Sequence, residues 1–212
     1  MNDASHSFDT QPPGVHIAEG PDDLGVFCEA HSAATLWPRS IPAQMQSWLD
    51  TLDAARLPHG RVVIPAHAVR GQIAQFCDAA GLPKSAGRTW LETDIADVAQ
   101  RFAALMNTRL LRMRLDVVTT NACRKFHVDA ITGRLVCTYR GTGTQYGTSD
   151  GSQDPATVFT AQTGAPILLR GTKWPAHPAA GLLHRSPPIE GTGEARLVLV
   201  LDPVDPGDDA QI

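Results

Sequence analysis

"RLLRMRLDVVTT", residues 109–120, is where the chain changes its period. Leu111, Met113, Leu115 and Val117 alternate with Arg112, Arg114 and Asp116, so one face of an extended segment seeks a core and the other carries charge. Before this point the apolar residues recur at helical spacing. Met45, Trp48, Leu49 and Leu52 form a first stripe after Ser40 and Pro42. Val69, Ile73, Phe76 and Ala80 form a second, which Gly81 and Pro83 stop. Ile95, Val98, Phe102 and Leu105 form a third, with Thr93 as its N-cap and Asn107 as its stop. After residue 120 come short apolar runs between Gly, Pro and Asp turns: 124–129, 134–140, 157–160, 165–170, 182–185 and 195–201. Helices first, then strands with no helix between them, predict an α+β protein with antiparallel strands closed into a sandwich or barrel.

With 212 residues, 42% of them hydrophobic, the chain can bury one sizeable core. The expected organisation is a loose polar segment over 1–20, a helical flanking region over 21–108, a β core over 109–202 and a loose acidic tail over 203–212, with 21–202 as one structural domain. A net charge of -4 and a pI near 6.0 lack the basic excess that phosphate neutralisation requires, which argues against nucleic acid as a partner. No run of about eighteen apolar residues would span a bilayer, and the start, MNDASHSFDTQPPGVH, has neither a basic n-region nor an apolar h-region. The expected location is the cytoplasm, with no membrane partner. Cys28, Cys77, Cys123 and Cys137 form no CxxC pair, so they are expected to be reduced, buried thiols.

Within the strand half, His127-Val128-Asp129 places two potential metal ligands at i and i+2, which on a strand share one face. The 8 His and 17 Asp among 212 residues make about 0.6 such HxD triplets expected by chance, so the triplet needs support from elsewhere in the chain. His184, 57 residues downstream at the end of an apolar run, supplies a third ligand. Two imidazoles and a carboxylate leave three positions open on a non-haem Fe(II), and they also suit zinc or manganese. Arg196 is the second residue of a hydrophobic strand and shares a face with Val198 and Val200, so its guanidinium calls for an anionic partner: a ligand carboxylate on one reading, Glu194 or Asp202 on the other. A competing thiolate zinc site would use Cys123, His127 and Cys137. Residues 140–144, RGTGT, read as a hairpin or lid loop because they lack the Lys-Ser/Thr ending of a phosphate loop, and Ser186 has no nucleophile-elbow pattern. His67 and His177 read as surface or capping residues, and Tyr139 and Trp174 either close the core or stack on a substrate.

HVD, a His in HRSPP about sixty residues on, and an Arg at the start of the last strand together resemble the double-stranded β-helix (jelly-roll, cupin-like) of the Fe(II)- and 2-oxoglutarate-dependent oxygenases, in particular the prolyl-hydroxylase-like branch. The resemblance implies that His127, Asp129 and His184 hold iron and that Arg196 binds the far carboxylate of 2-oxoglutarate. Over residues 109–202, FHVD…RLVCTYRGTGT…HRSPP is similar more closely still to a bacterial family of unknown function, domain of unknown function 1826. The usual oxygenase has a YLN…GG stretch after its HxD where this chain has TYRGTGTQY, so the substrate side does not transfer. Tyr139, Arg112, Arg114, Arg140, Trp174 and Arg185 are the pocket candidates. The implied function is an Fe(II)/2-oxoglutarate oxygenase acting on a small molecule or protein. The alternatives are a non-catalytic zinc or metal-homeostasis protein on the same fold, or a cupin-like metal hydrolase or isomerase.

Overall fold

The structure, a computed structural model, describes residues 11–149, 153–175 and 182–204. Three helices, α1 (Ala43–Thr51), α2 (Val69–Ala79) and α3 (Ala86–Leu105), occupy the first half, as the stripes predict. Asn107 adopts a left-handed φ of 47° just past α3, the conformation that ends a helix. The start of α3 differs from the expectation. Ser85, not Thr93, is the N-cap, its hydroxyl accepting from Arg88 N–H at 3.2 Å, while Thr93 lies inside the helix and donates to the Thr89 carbonyl. The additional turns are held by buried Arg88, which pairs with Glu92 and Asp78 at 2.7 Å each. Gly87 belongs there because a Cβ would stand 2.3 Å from the Trp48 ring of α1.

Among the described residues ten strands form two sheets. In chain order they are β1 (Val15–Ile17), β2 (Ala34–Leu36), β3 (Gly60–Ile64), β4 (Leu111–Val118), β5 (Gly133–Arg140), β6 (Gln145–Thr148), β7 (Phe159–Thr160), β8 (Ile167–Arg170), β9 (Leu182–Arg185) and β10 (Arg196–Pro203). The larger sheet runs β1-β2-β8-β5-β10-β4-β3 and the smaller β7-β6-β9; every pair is antiparallel except β1 with β2. These are the two halves of a double-stranded β-helix, with the helices against the outside of the larger sheet. The first half is therefore not purely helical: β1, β2 and β3 are too short to show a period, yet they extend the larger sheet. β1 also falls within the segment expected to be loose; residues 1–10 of that segment and 205–212 of the tail lie outside the described residues.

The strand pattern follows from two cores that share one sheet. Leu197, Leu199 and Leu201 of β10 face the helices with Leu111, Met113, Leu115, Leu135 and Tyr139, against Leu49, Ile73, Ile95 and Phe102. Val198 and Val200 face the opposite way, into the space between the sheets, with Val136, Ile167, Tyr146 and Leu182. A strand covered on both faces reads as an unbroken apolar run, and RLVLVL is one. On β4 the predicted alternation holds for Leu111, Met113 and Leu115, which are fully buried, whereas Val117 near the strand end is half-buried. One expected strand is absent: residues 124–129 are irregular except for a single bridge between His127 and His184. Cys77 and Cys137 are buried as expected, but Cys28 and Cys123 are exposed because both lie in non-ladder segments at the surface. Among the described residues no helix is long and apolar enough to cross a membrane.

Candidate metal centre

His127, Asp129 and His184 come together, although not as ligands along one strand. His127 and His184 sit opposite each other and exchange both backbone hydrogen bonds at 3.0 Å, which sets their rings side by side with centroids 4.6 Å apart. Asp129 follows two residues later in extended chain and comes up on the same side. The carbonyl of Asp129 is fixed to Thr172 N–H and that of Ile131 to Lys173 N–H. This docking needs Gly171, where a Cβ would meet the Ile131 carbonyl oxygen at 2.0 Å. One donor atom from each of the three residues lies within 4.8 Å of the other two.

The proton positions suit a cation. His127 Nδ1 is 2.8 Å from the Lys125 carbonyl, which can only accept, so Nδ1 donates to it and Nε2 is the nitrogen turned to the cluster. His184 Nε2 is 3.0 Å from Asp129 Oδ2, and His127 Nε2 is 3.5 Å from Oδ1. Burial pushes the His184 imidazole below its ordinary range, against the opposing pull of Asp129, so it is neutral at neutral pH. Burial alone would raise the Asp129 carboxyl. The contact and charge of His184, then the charges of Arg134 and His127, outweigh it and bring the carboxyl to about 2. Oδ2 of Asp129 is buried, 2.6 Å from Arg134 Nη1 and 3.0 Å from His184 Nε2, yet accepts no hydrogen bond in proper alignment. Two imidazoles and an ionised carboxylate with an unfilled acceptor fit a divalent metal ion.

Arg196 is 1% exposed, on the same face of β10 as Val198 and Val200. Its Nε donates to the Thr142 carbonyl at 2.6 Å, Nη1 to Ser186 Oγ at 3.2 Å and Nη2 to Thr138 Oγ1 at 3.3 Å. Neither Glu194 nor Asp202 accepts from it. Glu194 turns to Thr142 N–H and Oγ1, and Asp202 receives Arg134. Burial lowers the Arg196 guanidinium to about 10, with the charge of Glu194 working against that shift. A buried cation whose partners are all neutral oxygens retains capacity for an anion.

The remaining pocket candidates divide by face. Arg112 and Arg114 lie on the β4 face opposite its core leucines, and Arg114 Nη2 approaches Asp202 Oδ2 at 3.8 Å. The other four point elsewhere. Tyr139 faces the helices and donates to Asp94 Oδ2 at 2.7 Å, next to Trp90. Arg140 pairs with Leu197 at a β-bulge, which sends its guanidinium to the Leu52 carbonyl of the helical layer. Trp174 packs edge-on against Phe27 beneath Arg170. Arg185 follows His184 on the strand and so points away from it, lying 4.3 Å over the Phe126 ring. The thiolate zinc site does not form: Cys137 faces the helical core, its thiol on the Gly164 carbonyl, and Cys123 is exposed. His67 is exposed as expected, and His177 lies outside the described residues. A groove of about 990 Å³, lined in part by His67, Met106, Arg109 and Val204, includes none of the three clustered residues.

Sequence reasoning missed Arg134 and Asp202. Arg134 reaches Asp129 Oδ2 with Nη1 at 2.6 Å and both oxygens of Asp202 with Nε and Nη2 at 2.6 and 2.8 Å. A signal was present: Asp202 shares a face with Arg196, Val198 and Val200, and an acid on that buried face needs a cation.

No curated protein matches the chain in sequence. Among solved structures, a dioxygenase for auxin oxidation from rice is 12% identical with a TM-score of 0.50, over 94% of this chain and 85% of its own. The dioxygenase for auxin oxidation 1 from Arabidopsis thaliana, solved in a binary complex with 2-oxoglutarate, is 11% identical with a TM-score of 0.50, over 92% of this chain and 93% of its own. These likenesses establish the fold. The family described as Protein of unknown function (DUF1826) matches residues 18–202, all three clustered residues included, and the chain therefore belongs to that family, built on a double-stranded β-helix.

Proposed function

We propose that this protein is a non-haem Fe(II)- and 2-oxoglutarate-dependent oxygenase. The observation that carries the reading is a His-Asp-His cluster accompanied by a buried guanidinium with no carboxylate on it. His127, Asp129 and His184 would hold the iron, which when bound supplies the redox centre for oxidative decarboxylation of 2-oxoglutarate by O₂. Arg196 would fix the distal carboxylate of that cosubstrate, with Ser186 and Thr138 keeping its guanidinium in plane. Tyr146, directly across from His184, and Val198 and Val200 would keep the inner space apolar and exclude water. The fold shared with a 2-oxoglutarate-binding dioxygenase supports this reading. The substrate would be a small molecule or a protein side chain.

Calorimetric titration of 2-oxoglutarate into the anaerobic, Fe(II)-loaded protein tests the proposal. Wild type should bind, and Arg196→Leu should lose at least tenfold in affinity with metal content unchanged, because a charge-assisted two-pronged contact is removed without touching the metal ligands. No binding to the metal-loaded wild type, or equal binding to both proteins, would leave a metal-binding protein without this mechanism.

A further inference from the structure

Asp129 is held by more than the two imidazoles. Arg134 rises from the start of β5 on the inner face and spends two of its three nitrogens on Asp202, through Nε to Oδ1 at 2.6 Å and Nη2 to Oδ2 at 2.8 Å. The remaining nitrogen, Nη1, sits 2.6 Å from Asp129 Oδ2. Asp202 is 2% exposed, and among the described residues a second cation, Arg114 Nη2, approaches it at 3.8 Å. A guanidinium is planar, so clamping two of its nitrogens on one carboxylate leaves the third only one direction to point. Here it leaves Nη1 in charge contact with a residue of the metal cluster, outside hydrogen-bond alignment.

The charges make the arrangement more specific than a sheet staple. A lone arginine on Asp129 would cancel the negative charge that attracts a cation. With Asp202 included, the trio of two carboxylates and one guanidinium carries a net charge of 1 − 2 = −1, the same as a free Asp129. Asp202 thus offsets the charge that Arg134 brings to Asp129.

We infer that Arg134, aimed by Asp202, is a positioning residue that holds the Asp129 carboxylate in place beside the two imidazoles by its charge contact at Oδ2, with Oδ1 toward His127 Nε2. The inference rests on the metal reading above and adds to it a residue pair that is not itself a ligand. A purely structural role for the pair would affect folding and leave the bound ion undisturbed.

Cobalt(II) is the probe, since its visible spectrum reports ligand geometry independently of activity. Arg134→Met with Asp202→Asn removes the clamp while keeping the local net charge at −1, and replacing both partners of a buried pair together avoids stranding either charge. The folded double variant should bind Co(II) about 10- to 100-fold more weakly than wild type, the usual loss when a ligand's supporting partner is removed, with altered visible bands. Arg134→Lys, which retains the charge and therefore guards against a double variant that fails to fold, should also weaken binding by about tenfold, because one ammonium cannot serve both carboxylates in that geometry. Wild-type affinity together with an unchanged spectrum in either folded variant would overturn the positioning role while leaving the metal site intact. A wild-type protein that binds no Co(II) would overturn the metal reading itself, and this inference with it.

Discussion

The Asp129 carboxyl has a direct consequence for stability in acid. It titrates at about 2 instead of the ordinary 3.8, so the folded state holds this proton less tightly than the unfolded chain does. The stability from this shift is present above about pH 4 and is lost as the pH falls toward 2; at 1.36 kcal/mol per pKa unit it amounts to roughly 2 kcal/mol. His184, buried and held below its ordinary 6.5, has the same sign, and its share is lost as the pH falls from about 6.5. Denaturant unfolding of the metal-free protein should therefore show stability declining in two stages on acidification, and Asp129→Asn should remove the lower one. An unchanged decline between pH 4 and 2 in that variant would place the relevant carboxylate elsewhere. At this scale the sequence was legible where residue types are rare: HVD and a His on an apolar run are few enough to single out. Arg134 was not, because one arginine among the alternating residues of a strand acquires meaning only once its inner face and the distant Asp202 are known.

Strands declare themselves when a neighbouring layer enforces their period. β4 alternates because only one of its faces meets the helices, and β10 is continuously apolar because both its faces are covered. Both were readable, as were β5 and β9. Leu115, fully buried between β4's neighbours and the helical layer, should cost roughly 2 to 5 kcal/mol when truncated to Ala, whereas Asp116→Ala, which removes only an exposed pair with Arg61, should cost well under about 1 kcal/mol. Equal costs in urea unfolding would mean that the faces are reversed. Residues 124–129 misled for a physical reason: alternating Phe126 and Val128 look like a strand, but only His127 is paired, and the segment is held instead by its bridge to His184 and its docking on Gly171. β1 and β2, at three residues each, are too short to show a period, and β3 is five residues set among helical stretches.

The whole molecule joins a helical layer, a seven-stranded sheet and a three-stranded sheet, and the candidate site lies where the two sheets face each other. Its parts come from distant stretches of chain: His127 and Asp129 from an irregular segment before β5, His184 from β9, Arg196 and Asp202 from β10. No local pattern could announce that convergence; the strand order brings it about. The measurement that bears most directly on the account is metal content after anaerobic loading with Fe(II) and desalting, on wild type and on His184→Ala, with circular dichroism to show that both are folded. About one iron per wild-type chain and almost none in the variant is the expected result, because two remaining donors do not retain a divalent ion through desalting. Wild type emerging without iron, or His184→Ala retaining as much as wild type, would contradict it.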